Sequence, residues 1–400
     1  MIFEENGKFG VCNEQGKVII PCEYDKVFIS SYFTEYYIVE KNDKQGMFDM
    51  NGNLVMPCEY DGIYFSTSSS YYYGNDIYCV EKNGKYGLYD LKNKVEVLPC
   101  IYDDVVNARF EGYPYGHDSI DCIVTIAGQR GLISNGNKIL ECEYDDICYT
   151  GDKEIKLEKD GKYGICDMNG KIIVPIDYIF ISRCDKLAYY IVSKGDHKKG
   201  VYSNGKEIVP CEFDEIYVEK TGNQFIFITK KENKLGIFNE QGVMLAPNKF
   251  DKIVEVREYG PIYRIKENGK EGRISINNGE LKVIIPSEYD EVSYFKYYYT
   301  VKKEGKIGLY SCDGNQILPC EYDYYRSVGH ISNFDQFFGD KIPFSRSYER
   351  LLVGKEGKFG VCDLKGQVII PIELSKEEAE KAYCEYIISI VTVDDGGVTV

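Results

Sequence analysis

Eight aspartates recur along the chain, Asp25, Asp61, Asp103, Asp145, Asp214, Asp251, Asp290 and Asp323, each directly behind a Tyr or Phe. Carboxylates in such a series are the raw material of general acid–base catalysis or of oxygen-ligated cation sites. The other candidates for proton transfer or metal ligation are His117, His197 and His330, the only three histidines. None has a second His, Cys or carboxylate at ligand spacing, so each reads as an ordinary loop histidine. Fifteen cysteines complete the reactive inventory. Their number is odd and no CxxC occurs, which argues against a disulfide framework, a zinc site and a thioredoxin-like motif. No G-x-S-x-G, Walker loop or H-E-x-x-H is present. A catalytic set is needed once, whereas the aspartate recurs in almost every unit. That recurrence predicts a turn residue accepting backbone or lysine hydrogen bonds.

The elements around these residues repeat with them. A Lys-x-Gly step, with Gln129 in place of Lys in the fourth copy, places glycines at Gly10, Gly46, Gly87, Gly131, Gly164, Gly200, Gly236, Gly272, Gly308 and Gly360, spaced by 36, 41, 44, 33, 36, 36, 36, 36 and 52 residues. After the glycine comes an apolar-apolar-polar triplet such as Val11-Cys12-Asn13 or Leu88-Tyr89-Asp90, then a turn closed by Gly16, Gly52, Gly136, Gly170, Gly205, Gly242, Gly314 or Gly366. Tips of the type "NG", "QG" and "DG" supply the positive φ that a tight turn between strands needs. A β-branched run such as "KVII" follows and meets a proline, from Pro21 to Pro371, which is expected to end its strand or mark a sheet edge. The aromatic–aspartate pair comes next; the fifth copy reads as a reversal, Asp177-Tyr178. A variable segment then leads through a strand such as "YYIVEKN" into the next Lys-x-Gly. One unit is three or four short strands with no room for a helix. A unit of about 36 residues is too small to fold alone and must bury its aromatic face on its neighbours.

The glycine of Lys-x-Gly is expected to admit another backbone where a Cβ would collide. Cys22, Cys58, Cys100, Cys142, Cys211 and Cys320 share one repeat slot, and Cys12, Cys166 and Cys362 share another with Phe48, Tyr89, Tyr202 and Phe238. A slot shared by Cys, Phe and Tyr is a packing slot, so reduced, buried thiols are expected. The residue just before each repeat glycine wanders through Phe, Gln, Tyr, Arg, Lys, Leu, Glu and Ile, and is expected to face solvent or a partner.

These words resemble the WG (KWG) repeat family, whose units are similar to "G-K-W-G-y-i-D-x-x-G-k-x-v-i-P-x-x-Y-d". The resemblance spans residues 7 to about 373 in ten copies. The signature tryptophan is absent from all of them, its place taken by Phe9, Gln45, Tyr86, Arg130, Tyr163, Lys199, Leu235, Glu271, Ile307 and Phe359. What the resemblance implies is a bacterial interaction or scaffolding protein and not a reaction.

Composition bounds the partners. The chain has 37 Tyr, 19 Phe and no Trp, an aromatic profile suited to strands. A formal net charge of −16 argues against nucleic acid and anionic membrane, permits a basic partner, and keeps an extended surface soluble. No apolar run is long enough to span a membrane and the acidic opening "MIFEENGKFG" does not read as a signal peptide, so a cytoplasmic location is expected. No cofactor and no metal are expected.

The fold expected is all-β: residues 1–373 as a tandem array of about ten antiparallel hairpin or meander units in an open, twisted, solenoid-like arrangement, with a closed β-propeller as the alternative. Residues 374–400 are expected to form a cap. There Ser375 and Glu378 have the form of a capping box opening a short helix, and Tyr386 to Val393 keep open the option of a closing strand. Specialisation is expected where the period breaks, at residues 107–119 and 324–352. These inserts carry Arg109, Phe110, Tyr113 and Tyr115 in one, and Arg326, Phe334, Phe337, Phe338, Phe344, Arg346 and Arg350 in the other. Arg and aromatics dominate interface hot spots. The function expected is a non-enzymatic scaffold for a protein or peptide partner. The alternatives are glycan or small-ligand binding by Tyr-lined grooves, for which Tyr71 to Tyr73 and Tyr297 to Tyr299 are candidates, and an enzyme with its site in the 324–352 insert.

Overall fold

The computed structural model describes residues 1–29, 35–64, 77–107, 121–151, 153–184, 188–258, 260–295, 298–328 and 350–394. Arg109, Phe110, Tyr113, Tyr115, Phe334, Phe337, Phe338, Phe344 and Arg346 lie outside these residues, as do Tyr71 to Tyr73, Tyr297, His117 and His330. The chain forms two compact units, Met1–Glu207 and Ile208–Val400. Among the described residues there are ten antiparallel sheets, one of three strands and nine of four, and a single helix. Every sheet is a meander whose strands lie side by side in chain order, and none closes into a barrel.

The second sheet shows the plan, with strands Lys26–Ile29, Tyr36–Lys41, Lys44–Asp49 and Leu54–Tyr60. Its two central strands carry unbroken buried runs, Tyr37-Ile38-Val39 and Gly46-Met47-Phe48, because they are covered on both faces. The sheets are offset from the sequence repeat. A sheet begins with the strand directly after the aromatic–aspartate pair and ends with the proline strand, so a unit cut at Lys-x-Gly takes strands from two sheets. Met1 to Glu5 supply a strand ahead of the first Lys-x-Gly, Ile2–Glu5, which makes the first sheet a three-stranded one.

Proline does mark an edge, but it does not end its strand. Pro21 sits inside Val18–Tyr24, the outer strand of the first sheet, where it withholds a donor that has no ladder partner. Phe9 pairs with Tyr24 and Val11 with Ile20, so Pro21, Cys22 and Glu23 bulge opposite the single residue Gly10. The bulge brings the edge backbone over the glycine: a Cβ on Gly10 would lie 2.8 Å from the Ile20 carbonyl oxygen and 2.9 Å from the Cys22 nitrogen. The close approach expected from sequence is therefore real, and its cause is the bulge. Cys58 in the same slot donates its thiol to the Lys44 carbonyl at 2.9 Å, and Asn248, the corresponding residue of a later sheet, donates its amide to the Lys234 carbonyl at 3.0 Å. The hairpin-tip glycines have positive φ, as expected. Gly52 is also pressed against the preceding sheet, since a Cβ there would fall 2.2 Å from the Ile19 carbonyl oxygen.

The helix, α1, runs Lys376–Asp394. Its capping box is reciprocal: the Ser375 amide donates to Glu378 Oε2 at 2.9 Å and the Glu378 amide to Ser375 Oγ at 3.3 Å. Nineteen residues make it longer than the short helix expected, and Tyr386 to Val393 continue it in place of a closing strand. Ala379, Tyr383 and Ile387, at helical spacing, bury themselves on Leu352 and Val361 of the last sheet.

Gly164 tests the bulge, because a Cβ there would meet Ile176 Cγ1 at 2.5 Å and the Val174 carbonyl oxygen at 2.9 Å. Gly164→Val is expected to cost on the order of 1–3 kcal/mol or more, since the obstruction is partly backbone. Thermal unfolding reads this as a lower midpoint; a midpoint equal to wild type would show that the edge strand yields freely.

Candidate functional site

The repeated aspartate is placed by the fold where one sheet hands the chain to the next. Asp25 is the only residue between the last strand of the first sheet and the first strand of the second. Its amide donates to the Glu40 carbonyl at 2.7 Å. Its carboxylate accepts from Lys8 Nζ in its own sheet and from the amide of Asn42, at 2.8 Å, in the hairpin turn of the following sheet. Asn42 has φ of 54°, so its amide is turned outward and needs this acceptor. The same bracket recurs in Asp61 with Lys44 and Asn83, and in Asp103 with Lys85 and Ala127. Within the second unit it recurs in Asp290 with Lys270 and Glu304, and in Asp323 with Lys306 and Glu356. The lysine hydrogen bond, and next the backbone amide, hold these carboxyls below the usual carboxylate range. Such groups are fully committed acceptors and poorly suited to carry protons.

The aromatic residue before the aspartate does the packing. Tyr24 lies edge-on to Phe48 of the next sheet, centroids 5.8 Å apart at 73°. Tyr60–Tyr89, Tyr178–Tyr202, Phe213–Phe238 and Tyr289–Tyr310 repeat the contact at 5.6 to 6.0 Å. Each T-shaped pair contributes about 0.5–1.5 kcal/mol beyond area burial. Lys41 closes the outside, 5.7 Å from the centre of the Tyr24 ring and 2.9 Å from Glu23. The slot that Cys12, Cys166 and Cys362 share with these partner aromatics is thus the receiving face of each sheet.

The fifth copy is not a reversal. Tyr178 occupies the aromatic slot, pairing with Tyr163 as Tyr24 pairs with Phe9, and Ile179 stands where the other copies have aspartate, its amide donating to the Ser193 carbonyl at 2.8 Å. Asp177 fills the slot of Glu23 and takes Lys162 at 3.2 Å instead. The wandering residue before each repeat glycine is half-buried in all ten copies and leans on its surroundings. Gln45 accepts from the Ile63 amide at 3.2 Å and Arg130 reaches Asp146 at 2.7 Å, both on the first strand of the following sheet. It is a contact of the array more than a free surface.

Burial is as expected at Cys12, Cys166 and Cys362, whereas Cys22, Cys58, Cys100, Cys142, Cys211 and Cys320 are half-buried and Cys148 is exposed. All fifteen cysteines are free, and burial pushes Cys79, Cys122, Cys166 and Cys362 up to about 12. His197 is exposed in a turn at φ 57°. No group of three or more His, Cys, Asp or Glu able to hold a metal ion exists among the described residues. Arg326 pairs with Glu380 of α1 at 2.6 Å, so this insert residue fastens the cap. Tyr298 and Tyr299 are buried in strand Tyr298–Lys303 and offer no stacking platform.

Sequence reasoning missed two buried polar clusters. In the second unit Arg273 donates to the Val292 carbonyl at 2.9 Å and faces Glu258 at 3.4 Å, while Tyr299 Oη donates to Glu258 at 2.8 Å. In the first, Tyr190 Oη donates to Glu154 at 2.7 Å and Arg183 lies 3.1 Å from the same carboxylate. A guanidinium, a carboxylate and a phenol can do acid–base chemistry, but Arg273 is only 2% exposed and closed to a substrate. Its signal was present: "GRIS" puts Arg in a slot that reads Val, Leu or Ile in most other copies.

The bracket implies a pH dependence. A carboxyl depressed by folding stabilises the native state above its unfolded value, near 3.9, and loses that stabilisation as pH falls through the folded value. The double variant Asp61→Asn, Asp103→Asn is therefore expected to unfold at lower urea than wild type at pH 7, with the gap closing as the pH falls below about 4. A constant gap down to pH 2.5 would assign the loss to something other than carboxylate charge.

The sequence profile of the WG containing repeat matches residues 9–44, 46–86, 86–113, 203–234 and 276–306. No curated protein matches. Among solved structures, a eukaryotic initiation factor aligns at 10% identity over 94% of this chain and 96% of its own, with a TM-score of 0.21. PorZ, a surface component of the type-IX secretion system of Porphyromonas gingivalis, aligns at 9% identity over 87% and 51%, TM-score 0.20. Hsv2 of Kluyveromyces marxianus aligns at 9% over 76% and 92%, TM-score 0.20. Superpositions this loose carry no argument about fold or function. The sequence match does carry one, because its stretches span the bulge, the aromatic slot and the aspartate bracket just described: over those stretches the chain is built of WG containing repeats.

Proposed function

We propose that the protein is a non-enzymatic repeat scaffold that presents loops to a protein or peptide partner. One observation carries the reading: the extra length of the three longest repeat intervals enters at one topological position. The intervals of 41, 44 and 52 residues hold residues 65–76, 108–120 and 329–349, each joining the first strand of a sheet to its second. The turn between second and third strands is two residues in every sheet but one, the exception being residues 194–198 of the sheet whose joint carries Ile179 in place of aspartate, and one aspartate or its substitute joins fourth strand to first. In a meander, the first-to-second connection lies at the opposite end of the sheet from the aspartate bracket. Loops can therefore lengthen there without touching the joints that hold the array. Surface loops on a fixed scaffold are where binding residues collect, and two of these three carry the Arg and aromatic residues typical of hot spots.

The third reading, an enzyme in the 324–352 insert, has no observation of its own, and the glycan reading loses Tyr298 and Tyr299. No helix among the described residues is long and apolar enough to cross a membrane. Fifteen unbridged thiols fit a reducing compartment such as the cytoplasm. Replacing residues 108–120 or 329–349 by a short Gly-Ser link tests the scaffold reading. The expected result is a midpoint of unfolding within a few degrees of wild type, together with loss of a stoichiometric partner identified by cross-linking in the native cell. An unchanged set of cross-linked partners in both deletions would overturn it.

A further inference from the structure

Among the described residues, the first sheet presents a receiving face on which no strand lies. Every four-stranded sheet has a first strand along the edge of its second; among the described residues no strand lies along the edge of Ile2–Glu5. Register fixes the correspondence: Glu5 pairs with Lys8 as Lys41 pairs with Lys44, so Glu4 corresponds to Glu40, Phe3 to Val39 and Met1 to Tyr37. The turn is preformed, with Asn6 at φ 53° and Gly7 at φ 78°, matching Asn42, whose amide takes Asp25. The apolar counterparts are uncovered: Val39 is 0% exposed, whereas Phe3 is half-exposed and Met1 81% exposed. A Cβ on the tip glycine Gly16 would meet nothing within 4 Å, whereas one on Gly52 meets the preceding sheet.

We infer that this edge takes up an extended segment of a partner protein by strand addition, and that the segment reads basic–aromatic–aspartate–basic–apolar. The backbone part follows from the open ladder and the free turn. The basic flanks follow from a charge rule visible inside the array. Where the residue before the hairpin turn is lysine, as in Lys41, Lys82 and Lys159, the arriving segment brings Glu23, Glu59 or Glu143 to it. Where that residue is Glu267, paired with Lys270 as Glu5 is with Lys8, the arriving segment brings Lys249 instead, at 3.0 Å. One position earlier, Glu40 receives Lys26 at 2.7 Å. The first sheet has acids at both positions, Glu4 and Glu5, so a basic residue on each side of the aromatic–aspartate pair is the complement. The net charge of −16 favours the approach of such a segment.

This inference rests on the interaction reading above but uses a different surface, so the two fail separately. The probe is a labelled peptide of residues 245–256 of this chain, LAPNKFDKIVEV, which carries the required pattern; the control is residues 208–219, IVPCEFDEIYVE, with acids at both flanks. With the full chain, fluorescence anisotropy is expected to show saturable binding of the first peptide and at least tenfold weaker binding of the second. Asp251→Ala in the first peptide is expected to weaken it, and the chain variant Glu4→Lys, Glu5→Lys to reverse the order of the two. Glu4 and Glu5 are exposed, so the variant keeps its fold, which circular dichroism checks. Removal of residues 329–349 is expected to leave peptide binding intact. No saturable binding of the 245–256 peptide at up to about a millimolar, or equal binding of both peptides, overturns the proposal. So does concentration-dependent dimerisation, seen by ultracentrifugation, that the peptide does not compete away, since the occupant would then be a second copy.

Discussion

The array depends on a carboxylate that belongs to two sheets at once. Asp25 ends one sheet, begins the next, and fixes their relation by holding a lysine of the first and a turn amide of the second. Around it the other parts fall into place: the preceding aromatic is aimed into the next sheet, the flanking charges close over it, and the bulge at the proline provides the twist that lets the chain turn the corner. A small sheet with one open face has too little core to stand alone. The bracket converts that deficiency into cohesion between neighbours.

Much of this was legible from residue types. A glycine that recurs beside a β-branched run and a proline has few physical explanations, and close backbone approach was the right one. The aspartates read correctly as turn acceptors because their recurrence is incompatible with a unique site. The offset between repeat and sheet was not legible, since sequence similarity is blind to which neighbour a strand pairs with; only hydrogen-bond register places Lys26–Ile29 with the strands after it. The fifth copy misled for a related reason. Tyr178 keeps its place relative to Pro175 while Asp177 takes the slot of a glutamate, so a letter-level reversal is a substitution at two slots. The cap was recognised from Ser375 and Glu378, but its length was hidden, because β-branched residues such as Ile387 and Val391 argue locally for a strand and the packing of Tyr383 on the last sheet overrides them.

Structure and variability occupy opposite ends of each sheet. The bracketed turn and the one-residue link tolerate no insertion, because either would move the aspartate away from its two partners. The first-to-second connection has no such duty, and the three longest repeat intervals grow there. The same division explains why the residues most suggestive of chemistry in the sequence are the least available for it: Asp25, Asp61, Asp103, Asp290 and Asp323 are committed to lysines and amides, and burial pushes up the thiols of Cys79, Cys122, Cys166 and Cys362.

The one-residue link also has a mechanical consequence. With no slack between the proline strand of one sheet and the first strand of the next, tension applied along the chain reaches the bracket directly and cannot be absorbed by a linker. A pulled molecule yields by losing one bracket and one sheet at a time, each releasing a repeat of about 36 residues, or roughly 120 Å of extended chain. In chain order the long inserts join the first and second strands of one sheet, so none of them lengthens a joint between two sheets.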